Sequence, residues 1–107
     1  MSTHFFSIAA LLAQRKAHGQ AYHEFFRIPA MSAGVYVLRA GTPDLQSPHQ
    51  QDELYYVVAG RAHMQVAEEH REVSPGSVIF VEAGVEHRFY DIAEDLDLLV
   101  FFAPSES

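Results

Sequence analysis

Residues 41–60, GTPDLQSPHQQDELYYVVAG, decide both the fold and the chemistry that this chain can carry. The stretch opens as a loop containing Gly and Pro and ends in a β-branched, aromatic run that is typical of a strand. His49 and Glu53 lie four residues apart within it. Because side chains alternate faces along a strand, positions four apart point to the same face. A His and a Glu on one face can share a divalent metal ion.

A second punctuated stretch, residues 75–91, carries the third candidate ligand, His87. We expect the two stretches to meet in space, so that His87 reaches the same point from a neighbouring strand. Each residue also has an ordinary use. Glu53 would serve as a surface carboxylate at the start of a strand, and His87 as a hydrogen-bonded loop histidine. Spacing alone leaves both interpretations open.

The composition predicts one globular domain over residues 1–107, with residues 1–20 as a helical appendage and residues 21–107 as a barrel. Cysteine is absent, which excludes disulfides and any thiolate metal site. No run approaches the roughly 18 apolar residues of a membrane span, and the start of the chain lacks the basic residues of a signal peptide. We therefore expect a cytoplasmic protein without a membrane partner.

The charge balance argues against nucleic acid as a partner. Fourteen acidic residues against seven lysines and arginines give a formal net charge of −7, which repels phosphate backbones. The chain also has no basic patch interleaved with aromatic residues. The expected partners are a small-molecule ligand or substrate and a second copy of the chain. Dimerisation is expected through the first strands and the helix, because a small barrel has exposed edges.

Residues 5–18 read as a short helix, with Ser7 as a possible cap and Gly19 as a stop signal. Beyond it, the pattern predicts seven or eight short strands at roughly ten-residue spacing and no helix between them. Residues 68–72 are expected to form a charged hairpin tip, residues 93–95 a polar turn, and residues 103–107 a frayed segment. The strands are expected over residues 21–28, 34–40, 53–59, 61–67, 77–81, 87–92 and 96–102. This arrangement is typical of an antiparallel sandwich or barrel.

The two stretches resemble the two sequence motifs of the cupin superfamily. The first motif spaces a Gly, two His, a Glu and a Gly, and the second spaces a Gly, a Pro, a Gly, a His and an Asn. Both motif frames match this sequence at every gap, and together with the flanking strands they cover about residues 34–102. The resemblance implies an all-β fold, an antiparallel jelly-roll barrel of the RmlC-like type, with the short helix added at the N-terminal side.

Carried over position by position, the resemblance implies three metal ligands, His49, Glu53 and His87. Ser47 stands where the family has its first metal-binding His, and a hydroxyl is a poor ligand for a divalent ion. Ser47 would instead hold a metal-bound water, or Gln51, which has the same strand parity, would fill the gap. Two further departures from the family pattern are Glu82 in place of Pro and Asp91 in place of Asn.

Parity also predicts pocket residues around these ligands. Tyr55 shares the face of Glu53, so its ring is expected to line the cavity, with core packing as its alternative use. Tyr36 or Leu38 is expected to line the cavity from a neighbouring strand.

The resemblance implies a mononuclear divalent metal, zinc, iron, manganese or nickel, that holds a small oxygen-bearing molecule. Members of the superfamily include dioxygenases, isomerases and lyases, and the residues here do not select among an oxidoreductase, an isomerase and a lyase. The alternative is a metal-free barrel that binds or senses a small ligand.

Overall fold

The computed structural model describes residues 3–106, so Met1, Ser2 and Ser107 lie outside the described residues. One helix is followed by six strands in this part of the chain. The elements are α1 Ile8–His18, β1 Tyr22–Ile28, β2 Met31–Leu38, β3 Asp52–Val66, β4 Glu69–Val73, β5 Val78–Val81 and β6 His87–Ala103.

The strands form a single sheet in the order β1-β2-β6-β3-β4, with β5 paired to β3. Every pairing is antiparallel. The all-β, antiparallel jelly-roll barrel with one short helix is therefore confirmed. Within residues 3–106, no helix is long and apolar enough to cross a membrane.

The strand β3 is continuous through Gly60, where the sequence predicts a break. Gly60 has a φ of 98°, a backbone conformation that residues with a Cβ rarely adopt. A Cβ at this position would also lie 2.2 Å from the carbonyl oxygen of Asp95. The pairing of β3 with β6 shifts register on both sides of Gly60. The glycine therefore marks a bulge that bends a long strand, and β6 likewise runs through the predicted turn at residues 93–95.

The predicted hairpin tip at residues 68–72 is wrong in extent. The turn is at Ala67 and Glu68, and the charged run that follows is the edge strand β4. Its side chains are exposed up to Val73, which packs in the core. A run of polar side chains is typical of a loop, which is why the sequence predicts one here. On the edge strand β4 the same side chains face solvent and discourage pairing with other chains.

The helix α1 begins at Ile8, three residues later than the sequence pattern suggests. The Ser7 side chain accepts a hydrogen bond from the Ala10 amide at 3.4 Å, and Gly19 closes the helix with a φ of 76°. Both predicted helix signals are thus confirmed. The helix packs on β1 and β2 through Leu11, which is 3% exposed.

The interior is filled from β3 and β6, which are the two longest strands and pair along most of their length. Its largest fully buried side chains are Tyr55, Phe89, Leu96, Leu98, Val35, Val57, Val81 and Val100. Alternate residues of each strand supply this core, so Glu53 at the start of β3 points to the same interior as Tyr55 and Val57.

Residues 104–106 are held in place, contrary to the expectation of a frayed segment. The amide of Ser105 donates to the carbonyl of Pro29 at 3.3 Å. The amide of Glu106 donates to the Ser32 hydroxyl at 2.9 Å, and the guanidinium of Arg27 donates to the Glu106 carbonyl. Because the β1–β2 hairpin offers these partners across the sheet, a polar sequence that looks unstructured is ordered.

Candidate metal centre

Three side chains converge at one end of the core. His49 lies in the loop before β3, Glu53 near the start of β3, and His87 at the start of β6. One potential ligand atom from each lies within 4.8 Å of the other two. We call these residues the His–Glu–His cluster. The cluster is largely buried, since Glu53 is 2% and His87 7% exposed.

The separations within the cluster suit a shared ion. Glu53 Oε1 lies 3.1 Å from His87 Nε2 and 3.9 Å from His49 Nε2. Ligands at about 2.0–2.2 Å from a metal lie about 2.8–3.6 Å apart when they are neighbours in octahedral or tetrahedral geometry. Small side-chain adjustments would therefore bring all three ligands into coordination distance.

The tautomer of the neutral His87 ring places two hydrogen-bond acceptors opposite each other. His87 Nδ1 lies 2.9 Å from the Val85 carbonyl oxygen, which can only accept, so Nδ1 carries a proton. In a neutral ring, Nε2 then presents its lone pair to Glu53 Oε1. Neither of these two buried atoms forms a hydrogen bond within residues 3–106. An unsatisfied buried polar atom costs about 1–3 kcal/mol, which a cation between the two atoms would remove.

The surroundings of His87 favour positive charge. Burial alone lowers the pKa of His87, but the Glu53 carboxylate and the Val85 carbonyl raise it, and the net pKa lies above the ordinary value. A proton and a divalent ion are thus alternative ways to place positive charge beside Glu53.

His49 is bracketed by acceptors in the same way. Its Nδ1 lies 3.2 Å from a carboxylate oxygen of Glu106, and its Nε2 lies 3.2 Å from the amide oxygen of Gln46. Neither Glu106 nor Gln46 is suggested by the motif spacing. Both imidazoles therefore direct Nε2 toward oxygen atoms on the cluster side and Nδ1 toward an oxygen on the other side.

A hydrogen-bond network fixes the orientation of Gln46. Its amide nitrogen donates to Asp44 Oδ2 at 2.7 Å, and the Tyr55 hydroxyl donates to its amide oxygen at 2.9 Å. Asp44 is 8% exposed and also accepts from the Phe89 amide and the Tyr36 hydroxyl, each at 3.0 Å. Because Asp44 can only accept, the Gln46 amide oxygen must face the cluster.

A cavity of about 200 Å³ adjoins the cluster. It is lined by Tyr22, Tyr36, Gln46, His49, Glu53, Val100, Phe102 and Glu106. The Tyr22 hydroxyl is buried and forms no hydrogen bond within the described residues. Burial and nearby carboxylates, Glu106 first among them, raise its pKa well above 10, so it stays a donor at neutral pH. The Tyr22 ring fits here because residue 34 is Gly. A Cβ at residue 34 would lie 2.3 Å from the ring carbon Cζ of Tyr22.

The expected pocket residues separate into two groups. Tyr36 lines the cavity, and Tyr55 lies beneath it, fully buried, with its hydroxyl on Gln46. Ser47 is exposed in the loop, and Gln51 is buried but is not among the residues that line the cavity.

Four residues near the site have no counterpart in the sequence interpretation. They are Tyr22, Asp44, Gln46 and Glu106. For Gln46 a signal exists, because it directly precedes the departure from the motif at Ser47. Tyr22 and Glu106 lie far from the motifs in sequence and carry no local signal.

Comparison with known proteins identifies the family of this domain. A family model described as "Cupin domain" matches residues 34–102, which include both motif stretches. An uncharacterized protein of Streptomyces coelicolor, SCO3923, is 51% identical over 102 residues, covering 95% of this chain and 97% of that protein.

Solved structures share the architecture. TT1209 from Thermus thermophilus has a TM-score of 0.67 and 28% identity, over 78% of this chain and 84% of that one. The Cnp3 cupin domain of Schizosaccharomyces pombe has a TM-score of 0.71 and 19% identity, over 78% of this chain and 59% of that one. The likeness to Cnp3, at that identity, concerns the fold alone.

Proposed function

This chain belongs to the cupin domain family, and from that premise we propose that it binds one divalent metal ion and a small oxygen-bearing molecule beside it. His49, Glu53 and His87 would hold the ion. One observation carries the proposal: with His87 neutral and protonated on Nδ1, His87 Nε2 and Glu53 Oε1 are two buried acceptors 3.1 Å apart, and no other group within residues 3–106 satisfies either of them. Two imidazoles and a carboxylate suit zinc, iron, manganese or nickel and do not select among them.

We assign the position left by Ser47 to the amide oxygen of Gln46. That oxygen lies 3.2 Å from His49 Nε2, on the side of the ring that faces Glu53. The Asp44 carboxylate holds the amide in the required orientation. A Gln oxygen is a weaker metal ligand than an imidazole nitrogen, so we expect a lower affinity than a site with a third imidazole would have.

The cavity sets the class of ligand. Its volume of about 200 Å³ admits a molecule of small-metabolite size, and Val100 and Phe102 give it an apolar wall. The Tyr22 hydroxyl is free to donate a hydrogen bond to an oxygen of that molecule. The metal, when bound, supplies Lewis-acid polarisation of a ligand oxygen. The proposal concerns binding of the metal and of the small molecule. Turnover by an oxidoreductase, isomerase or lyase reaction is a separate question for enzyme assays.

A metal-free ligand-binding barrel is the second candidate, and the pairing of charges favours it. Two carboxylates, Glu53 and Glu106, alternate with two histidines, His49 and His87. If both rings were doubly protonated, the four groups would satisfy each other without an ion. The cavity and the Tyr22 hydroxyl would then serve ligand binding alone.

Metal content separates the two candidates. Protein purified without chelator should carry close to one metal ion per chain by elemental analysis, and His49→Ala should lose most of it because a ligand is missing. His70→Ala, which removes an exposed histidine on β4, is the matched control and should keep the metal. Full metal content in His49→Ala would reject the ligand assignment, and a metal-free wild type that still binds small molecules would favour the second candidate.

A further inference from the structure

The segment after β6 brings an acidic side chain to the site from outside both motifs. Its backbone is tied to the β1–β2 hairpin by bonds to Pro29, Ser32 and Arg27. This anchorage places the Glu106 side chain at the cavity, where it is 26% exposed.

The Glu106 carboxylate approaches the cluster from the side opposite to the proposed ion. Its Oε2 lies 3.2 Å from His49 Nδ1, whereas the Nε2 of the same ring faces Gln46 and Glu53. The two nitrogens of an imidazole point away from each other, so one carboxylate that contacts Nδ1 is not positioned to bind an ion held by Nε2. Glu106 therefore acts through His49.

We propose that Glu106 is a positioning residue that keeps the His49 proton on Nδ1, so that Nε2 presents its lone pair to the metal. This inference rests on the metal site proposed above. A carboxylate that accepts from the second ring nitrogen fixes the tautomer and the ring orientation of a metal-binding His and increases its basicity.

The other histidine of the cluster is held by the same principle. The Val85 carbonyl accepts from His87 Nδ1 at 2.9 Å, which also leaves Nε2 for the ion. His49 lies in a loop, and within residues 3–106 the Glu106 carboxylate, rather than a backbone carbonyl, lies opposite its Nδ1. With Glu53, it also brings two negative charges to balance a divalent cation.

Metal affinity tests the proposal in the full chain. Titration calorimetry with zinc should show about 10–100-fold weaker binding for Glu106→Ala, the usual cost of losing such a partner. Glu106→Gln keeps an oxygen that accepts from Nδ1 and should recover part of that loss. Glu94→Gln removes the same charge from an exposed ion pair with Arg61 and should leave the affinity unchanged. Unchanged affinity in Glu106→Ala would overturn the proposal.

Cobalt substitution separates positioning from direct ligation. The visible absorption of the cobalt-loaded protein reports coordination number, and we expect it to be the same in wild type and Glu106→Gln. A change in coordination number would show that Glu106 binds the ion and would contradict the positioning role.

The His49 tautomer, read in the metal-free protein, keeps this test separate from the metal site itself. Long-range proton–nitrogen correlation spectra above pH 8 should show the wild-type His49 proton on Nδ1 and a shift toward Nε2 in Glu106→Ala. A wild-type proton on Nε2, or a tautomer that the variant does not change, would refute the role of Glu106. A protein that binds no metal but shows the expected tautomers would refute only the proposed function.

Discussion

At the scale of the residue, the site depends on which atoms can donate and which can only accept. His49 and His87 each have an oxygen acceptor at Nδ1 and another at Nε2. Asp44 extends the same logic, since its carboxylate fixes the donor end of Gln46. The cluster is thus short of positive charge, which is the property that a cation site requires.

Gln46 offers a sharp test at this scale. Gln46→Leu should weaken metal binding by at least about tenfold, the lower bound for loss of a supporting group at such sites. Ser47→Ala is the matched control, since the neighbouring Ser47 is exposed, and its affinity should not change.

Melting temperatures of both variants should be measured beside the calorimetry, because Gln46→Leu also strands the buried Tyr55 hydroxyl. A folded Gln46→Leu variant with wild-type affinity would remove Gln46 from the site. A weakened Ser47→Ala variant would return that position to the serine.

The sequence predicts part of the site at this scale for a clear reason. Glu53 and His87 lie in β3 and β6, where parity relates sequence spacing to direction in space, whereas His49 lies in the loop before β3 and is predicted from the motif spacing. Gln46 lies in a loop, where parity does not apply. Tyr22 and Glu106 reach the cavity only through the pairing of β1 with β2 and the return of the chain after β6. Such long-range contacts have no local pattern.

At the scale of the element, strands β3 and β6 continue past positions where the sequence predicts that a strand ends. Gly60 and the predicted turn at residues 93–95 both lie inside long strands, β3 and β6. At Gly60, composition alone does not distinguish a bulge from a turn, because both use a positive φ at glycine. Residues 93–95 contain no glycine, and their polar character reflects an exposed stretch of β6. The number of strands was therefore overestimated, while their antiparallel pairing agrees with the predicted fold.

A pair of glycine variants tests the bulge. Gly60→Ala should destabilise the fold by at least about 2 kcal/mol, because backbone strain adds to a clash with the Asp95 carbonyl. Gly76→Ala has a similar φ of 95° but no atom within 4 Å, so it measures the strain alone, at about 1 kcal/mol. Urea unfolding compares the two, and equal losses would argue against close packing at Gly60.

At the scale of the whole molecule, homodimerisation stays a prediction, and the structure suggests a different surface for it. The helix α1 covers β1 and β2 on one face. Large apolar side chains remain exposed on the paired strands β3 and β5, where Leu54 lies opposite Phe80 and Tyr56 opposite Val78. Phe80 is 59% and Val78 61% exposed, which is unusual for a monomer.

Paired variants distinguish the two dimer surfaces. If β3 and β5 form the contact, Phe80→Glu should yield a monomer in light scattering at micromolar concentration, because it buries a charge in an apolar interface. Phe5→Glu, at a residue that is 94% exposed near the helix, should leave the dimer intact. The reverse result would place the contact at the helix, and a monomeric wild type would contradict dimerisation altogether.

The central claim is that the His–Glu–His cluster holds a metal ion, and anomalous diffraction from crystals of the metal-loaded protein tests it most directly. We predict one anomalous peak at about 2.0–2.2 Å from His49 Nε2, His87 Nε2 and Glu53 Oε1. A crystal without that peak, in which His87 and Glu53 bond directly to each other, would contradict the account.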